Sequence, residues 1–203
     1  MHCLFLDLAS HNGLIACVTG NKTVASHPVD HRVGDHELLP RIESMLKEAG
    51  WSYPDLTHVA CVTGPGGFTS LRVAVTCANV LADQLGIPSA GVHLSDVYGA
   101  RLGHEKRDMR HEYWFHSTKK EQLFIRGGEW AEPSLVMVED LLKTLPKKIT
   151  WCGELIDEHR QAITGVAEMM EALLRPYSEV LPAFLSGAVF AKKQLEPWYG
   201  RGW

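Results

Sequence analysis

A chain of 203 residues is long enough for one large domain or for two small subdomains that share a core. With 45% hydrophobic and 22% charged residues, its composition is that of an ordinary soluble globular protein. The formal net charge of -4 argues against a general affinity for nucleic-acid backbone, and no apolar run approaches the ~20 residues of a membrane span. The N-terminus shows no basic segment followed by an apolar signal core, so a cytoplasmic protein with reduced, buried cysteines is expected.

The first thirty residues have the pattern of three short strands. Residues 2–8 predict a buried strand that ends at Asp7. Asn/Gly turns separate this strand from apolar runs at 14–18 and 22–26, which predicts an antiparallel meander.

Residues 35–50 have apolar side chains at helical spacing, with Asp35 as a plausible cap and Gly50 as the stop signal. Pro40 falls in the first turns, where its missing N–H costs least. His36 has no ligand partner at helical spacing, so a structural or interface role is favoured over metal binding.

The next elements are a strand, a glycine-rich turn and a long helix. Residues 58–63 are rich in β-branched residues and predict a buried strand, and three glycines then surround Pro65. A helix is predicted over 69–86, with Thr69 or Ser70 as its cap. Such a corner can bind an anion or a partner.

The rest of the chain predicts further alternation of strands and helices. Arg101–Glu112 is a dense mixed-charge run and indicates a solvated connection between subdomains. The other predicted elements are a strand in 86–92, a helix from Ser95, paired strands at 113–116 and 122–126, a helix at 136–145, a strand at 149–153 and a final helix at 186–195. No internal repeat is evident.

Three segments carry a family resemblance. Gly64-Pro-Gly-Gly-Phe-Thr-Ser-Leu-Arg72 resembles the Gly-Pro-Gly-Ser-Phe-Thr-Gly-Leu-Arg signature of the TsaB (YeaZ) family, bacterial proteins of tRNA threonylcarbamoyladenosine synthesis in the actin-like ATPase superfamily. His36…Leu38-Leu39-Pro40 and Pro197-Trp-Tyr-Gly-Arg201 are similar to two further family segments. The chain departs from the family pattern at Leu8, Ser117 and Gly153, where a threonine, an aspartate and a second turn glycine are missing.

The resemblance implies an α/β protein of the actin-like ATPase (ribonuclease H-like) fold. Mixed sheets with flanking helices would form two small subdomains, 1–100 and 101–203. In that fold the end of the first strand lies near the metal and phosphates of a nucleotide. The nucleotide-proximal candidates are Asp7, Gly64, Gly66 and Gly67; for Asp7, a simple turn-capping role is an equal alternative.

The resemblance also implies a non-catalytic scaffold and activator of TsaD, which transfers the threonylcarbamoyl group to N6 of adenosine 37 in tRNA. Partners would be a TsaD-like protein, a TsaE-like ATPase and, for the chain alone, a second copy. The helices 35–50 and 69–86 would form the interface, with tRNA contacted only through the complex. No cofactor of its own is expected, although ADP or ATP could bind at the interface with TsaD. The interface candidates are His36, Leu39, Phe68, Thr69, Arg72 and Thr76, with a core-plug role for Phe68 as the alternative.

Two enzymatic functions remain as alternatives: a nucleotide-dependent enzyme of the actin-like superfamily, and a glycoprotease-like peptidase. The sequence shows no nucleophile–base pair and no Gly-x-Ser-x-Gly elbow, so no catalytic residue is assigned. No metal ligand is assigned either. His93 has Val97 four residues on, and His27-Pro-Val-Asp-His31 contains a proline and falls at a strand end.

Overall fold

A computed structural model describes residues 1–30, 35–103 and 112–200, and the chain divides into two compact units. The first unit comprises Met1–Val97 and Pro176–Tyr199, and the second comprises Tyr98–Arg175 with the residues after Tyr199. The sequence places the division at residue 100 and assigns all of 101–203 to one subdomain, whereas residues 176–199 pack with the first unit. Most of the mixed-charge run Arg101–Glu112 lies outside the described residues.

The first unit contains a five-stranded mixed sheet. Its strands are β1 His2–Asp7, β2 Asn12–Thr19, β3 Thr23–Asp30, β4 His58–Gly64 and β5 Ser89–His93, in the order β3-β2-β1-β4-β5. The first three strands form the predicted antiparallel meander, and β4 and β5 run parallel to β1.

The helices of the first unit pack their apolar stripes on this sheet. They are α1 Asp35–Glu48, α2 Phe68–Leu85, the start of α3 Leu94–Leu102, and α6 Tyr177–Ser186, with a single 3-10 turn at Tyr53–Asp55. Leu38, Ile42 and Met45 of α1 lie in one core cluster with Ala74 and Ala78 of α2. Burial of this stripe, at helical spacing, positions both helices on the same core.

The second unit repeats the topology of the first. Its strands are β6 Glu112–Ser117, β7 Gln122–Gly127, β8 Trp130–Met137, β9 Lys148–Glu154 and β10 Glu168–Glu171, in the order β10-β9-β6-β7-β8, and its helices include α4 Val138–Thr144 and α5 Asp157–Thr164. Read from β6, the strand order and directions equal those read from β1. The two mixed sheets with flanking helices confirm the predicted actin-like ATPase fold.

The final helix is not where the sequence places it. The chain is helical at Tyr177–Ser186, and residues 187–195 form no helix. Pro182 lies inside α6 and cannot donate a backbone hydrogen bond to the carbonyl of Ser178. The Thr23 hydroxyl donates to that carbonyl at 3.1 Å instead, so a tertiary contact compensates for a residue that argues against a helix in the sequence.

Candidate partner-binding surface

An exposed ridge runs along α2. Phe68, Arg72, Thr76 and Val80 are spaced four residues apart, so they lie on one face of the helix, and all four are exposed. Phe68 and Val80 are 55% and 53% exposed. The opposite face, which includes Leu71, Ala74, Val75 and Ala78, is buried in the core. Two large apolar side chains on the outer face of an otherwise well-packed helix indicate a surface that binds another molecule.

A groove of about 380 Å³ separates this ridge from α1. It is lined by Leu38, Leu39, Arg72, Val73, Thr76, Cys77, Val80 and Leu81. Leu39 is 49% exposed on the α1 side. The structure thus brings together three of the predicted interface residues, Leu39, Arg72 and Thr76. Val80 was not predicted, although its spacing of four from Thr76 is the signal that could have found it.

Two other predicted interface residues, His36 and Thr69, lie at helix starts and do not line this groove. His36 is exposed in the first turn of α1, and Thr69 is exposed in the first turn of α2 beside Phe68. Gly67 is the N-cap of α2. The prediction that Thr69 or Ser70 caps this helix is therefore wrong: the helix begins one residue earlier, at Phe68.

Phe68 packs against two other side chains at the surface. The guanidinium carbon of Arg72 lies 4.3 Å from the centre of its ring, and the ring of Tyr199 lies 5.2 Å away with a tilt of 30°. With more than half of its surface exposed, Phe68 is not a core plug, so that alternative is wrong. Arg72 makes its contact within the chain with an aromatic ring, and its exposed charge is available to an acid on a partner.

The C-terminal residues Ala191–Tyr199, here called the C-terminal strap, are held against the other side of α2. Asn79 of α2 donates to the Leu195 carbonyl at 3.0 Å and accepts from the Leu195 N–H at 2.8 Å. Ala191 exchanges two backbone hydrogen bonds of 3.0 Å with Ser89 of β5. A second groove, of about 480 Å³, lies between α2 and the strap, and Arg72 also lines this one.

The glycines of the signature segment have distinct packing roles. A Cβ on Gly64 would lie 2.1 Å from the carbonyl oxygen of Trp198 in the strap, and Gly64 has a φ of 150° that side chains rarely adopt. A Cβ on Gly66 would lie 2.8 Å from Ala9, in the turn after β1. Beside Gly67 the nearest atom is the Ser70 hydroxyl, at 3.6 Å. Two of the three glycines are therefore explained by close approach of the backbone.

Asp7 is fully buried, and its carboxylate accepts hydrogen bonds from its own turn and from α6. Its Oδ1 accepts from the N–H groups of Ala9 and Ser10 at 3.0 and 3.1 Å. Its Oδ2 accepts from the Ser10 hydroxyl, and from the Tyr177 hydroxyl at 2.8 Å. These contacts match the turn-capping interpretation.

The turn after β1 and the glycine turn do not fit a nucleotide phosphate between them. Ala9 and Gly66 are too close to admit even a Cβ, and the carboxylate that would face a bound metal already accepts these four hydrogen bonds. Leu8, at the position where the family has threonine, is buried and 3% exposed. No chemical step is therefore assigned to a nucleotide at this corner.

Known proteins resemble this chain over the helices that form the α1–α2 surface. A family model described as TsaD, tRNA N6-adenosine threonylcarbamoyltransferase, matches residues 31–108, which span α1 to α3. The Bacillus subtilis (strain 168) protein named tRNA threonylcarbamoyladenosine biosynthesis protein TsaB is 26% identical over 187 residues, covering 82% of this chain and 76% of the relative. The protein of that name from Buchnera aphidicola subsp. Acyrthosiphon pisum is 26% identical over 126 residues, which is 56% of each chain.

Two solved structures from Pseudomonas aeruginosa share the fold over almost the whole chain. A protein described as similar to peptidase YeaZ superimposes with a TM-score of 0.73 at 20% identity, covering 98% of this chain and 99% of the other. The structure described as YeaZ gives a TM-score of 0.67 at 20% identity, covering 97% and 99%. The chain is thus similar in sequence to proteins named TsaB and shares its fold with the YeaZ structures.

One nucleophile–base pair of this chain was missed in the sequence. The Ser117 hydroxyl lies 2.8 Å from Nδ1 of His159, forty-two residues away along the chain. Nε2 of His159 lies 2.8 Å from the Lys120 carbonyl, which can only accept, so Nε2 carries the proton and Nδ1 can accept from Ser117. The Ser117 oxygen also accepts from the Ile156 N–H at 3.2 Å.

This pair is placed for structure rather than for hydrolysis. Ser117 and His159 are each 2% exposed, so a peptide substrate cannot reach the hydroxyl. The hydrogen bonds join the end of β6 to the start of α5, and they give Ser117 a role at the position where the family has aspartate. Gly153, the other departure in this unit, has a φ of 115° and leaves no room for a Cβ beside the Phe115 carbonyl.

Thiols and histidines provide no metal site in the parts of the chain that the structure describes, where no cluster of three or more His, Cys, Asp or Glu side chains is suitably placed. His27 contacts Glu48 at 2.6 Å, and His31 lies outside the described residues. Burial raises the pKa of the Cys77 thiol, in the α1–α2 groove, to about 11.

No helix in the same described ranges has the length and apolar character to cross a membrane.

Proposed function

We propose that this protein takes part in tRNA threonylcarbamoyladenosine biosynthesis as a non-catalytic scaffold and activator of a TsaD-like protein. The α1–α2 surface is the site at which that protein docks. The observation that carries the proposal is the exposed ridge of α2 beside the groove toward α1. Phe68 and Val80 on the ridge and Leu39 in the groove are each about half exposed. A partner helix laid in this groove would bury those side chains and place an acid beside Arg72.

The polar groups of the described chain support a non-catalytic role. The carboxylate of Asp7 is occupied by turn and tertiary hydrogen bonds, and the Ser117–His159 pair is buried. An enzyme needs such groups to face a space that a substrate can enter. Three grooves adjoin α2, and apolar and amide side chains make up most of the lining of each.

The proposal includes the other partners that the resemblance implies. A second copy of the chain would cover the apolar ridge when no TsaD-like protein is present, and a TsaE-like ATPase would join the complex. ADP or ATP is proposed to bind at the interface with the TsaD-like protein, as the family resemblance implies. With a net charge of -4, this chain would contact tRNA only through the complex.

The test is complex formation with the TsaD-like protein of the same organism, measured by light scattering and titration calorimetry. Leu39→Glu and Arg72→Glu should each weaken the complex at least about tenfold, because one buries a charge in the groove and the other reverses a charge beside it. Threonylcarbamoylation of tRNA should require both proteins and should fall with the same two variants.

Two matched controls lie in the second unit. Leu173→Glu changes an apolar side chain that is 89% exposed, and Arg160→Glu changes an arginine that lies over the Trp151 ring at 4.8 Å, much as Arg72 lies over Phe68. Both should leave the complex intact. If no complex forms and the chain alone hydrolyses ATP in a manner that Asp7→Asn abolishes, the scaffold proposal is wrong and the nucleotide-dependent enzyme takes its place.

A further inference from the structure

The proposed partner surface continues beyond α2 onto the C-terminal strap. Phe68 is the most exposed large apolar residue of α2, and the centre of its ring lies 5.2 Å from that of Tyr199 in the strap. Arg72, which lies over the same ring, lines both the groove toward α1 and the groove toward the strap. The strap is therefore continuous with the surface on which the partner is proposed to dock.

We propose that Tyr199 is a positioning residue of this surface, which holds the Phe68 ring in the orientation that the partner contacts. The inference rests on the proposed function, and it adds the strap to the site. Contacts with the Arg72 guanidinium at 4.3 Å and the Tyr199 ring at 5.2 Å restrain the Phe68 ring before any partner arrives. A side chain that is already restrained loses less conformational freedom on binding, so the complex gains affinity without a new contact.

Tyr199 can act in this way because the residue before it is fixed. The Trp198 N–H donates to the Thr63 carbonyl at 2.7 Å, at the end of β4. The Trp198 ring meets the His93 ring edge-on at 4.5 Å. The Trp198 carbonyl oxygen lies against Gly64, where an added Cβ would be only 2.1 Å from it. The first glycine of the signature thus permits the strap to reach the position from which Tyr199 supports Phe68, the fifth residue of the same signature.

The experiment is a double-mutant cycle on affinity for the TsaD-like protein of the same organism, by titration calorimetry with full-length chains. Tyr199→Ala should raise the Kd about three- to tenfold, the range expected for losing one aromatic pair. Tyr199→Phe keeps the ring and should bind as the wild type does. In a Phe68→Ala background, Tyr199→Ala should cause no further loss, because Tyr199 acts through Phe68.

The control is Phe190→Ala, which removes an aromatic pair with His58 at 4.7 Å, at the start of β4 rather than its end. It should leave the Kd unchanged.

If Tyr199→Ala lowers the unfolding midpoint, Tyr199→Leu fills the space without a ring and should still weaken binding. An unchanged Kd for Tyr199→Ala, or losses that add in the double variant, would overturn the inference while Leu39→Glu still disrupts the complex. A wild-type chain that binds no TsaD-like protein would overturn the proposed function, and the inference with it.

Discussion

At the scale of single residues, the signature segment is a set of close contacts as much as a turn. Gly64 admits the Trp198 carbonyl, Gly66 admits Ala9, and Gly67 faces open space except for Ser70. The sequence predicts only that three glycines around Pro65 let the backbone turn. The contacts show that the three positions differ. Gly64 and Gly66 border the backbone of other segments, which cannot move aside as a flexible side chain would.

Gly66→Ala should therefore destabilise the protein more than Gly67→Ala. The new Cβ at Gly66 would meet backbone and side-chain atoms of Ala9 at 2.8–2.9 Å, and the expected cost is roughly 1–3 kcal/mol. At Gly67, an N-cap without a side-chain cap, the cost should stay below about 1 kcal/mol. Urea unfolding of both variants measures the difference. Equal losses would show that the turn after β1 yields to accommodate the methyl group.

Stability should also fall at alkaline pH through the thiol of Cys77. Burial raises its folded-state pKa from the ordinary value of 9.0 to about 11, so the unfolded state releases its proton first as the pH rises. The stabilisation is complete below pH ~9 and is lost as the pH rises through about 11. The stability difference between the wild type and Cys77→Ala should shrink by roughly 1 kcal/mol between pH 8 and pH 10. Thr76→Ala, at the neighbouring position without a thiol, should show a constant difference, and a constant difference for Cys77→Ala would contradict the raised pKa.

At the scale of elements, the sequence predicts those helices and strands whose local signals agree. The limits of α2 are predicted within one residue, because a glycine turn and Gly86 bound a long apolar stripe. The α1–α2 surface follows from these two helices and the family resemblance. The strand β8, the helices α5 and α6 and the strand β10 were missed: β8 contains Pro133, α6 contains Pro182, and α5 and β10 are short.

The contact that makes α6 tolerable can be tested. Because Pro182 leaves the Ser178 carbonyl without its helical donor, Thr23→Val removes the hydroxyl that donates to it at 3.1 Å. The expected loss is about 1 kcal/mol in chemical unfolding. In a Pro182→Ala background, the alanine N–H can bond to that carbonyl, and the same Thr23→Val change should cost only a few tenths of a kcal/mol. A similar loss in both backgrounds would show that the Thr23 hydroxyl does not compensate for the proline.

At the scale of the whole molecule, each unit builds one β-β-β-α-β-α-β sequence into the same strand order. The repeat is invisible in the sequence, because a sheet topology requires only the period and length of the apolar runs and not their residues. The sequence therefore predicts the fold class correctly but does not reveal the internal repeat. The Ser117–His159 pair was missed for a different reason: the two residues meet only when β6 and α5 are assembled.

The C-terminal strap covers part of an edge strand of the first sheet. β5 is the last strand of that sheet, and Ala191 covers it through two hydrogen bonds to Ser89. A chain that ends after Ser186 would expose this edge and leave the Asn79 amide without Leu195. We expect this chain to lose a few kcal/mol of stability, because a buried amide without a hydrogen-bond partner costs about 1–3 kcal/mol. We also expect it to self-associate, because an uncovered strand edge can pair with another chain. A chain that ends after Gly200 keeps the whole strap and is the control. Urea unfolding and light scattering of the two truncated chains would decide the matter, and a truncation at Ser186 that stays as stable and as monodisperse as its control would show that the strap does not stabilise β5 and α2.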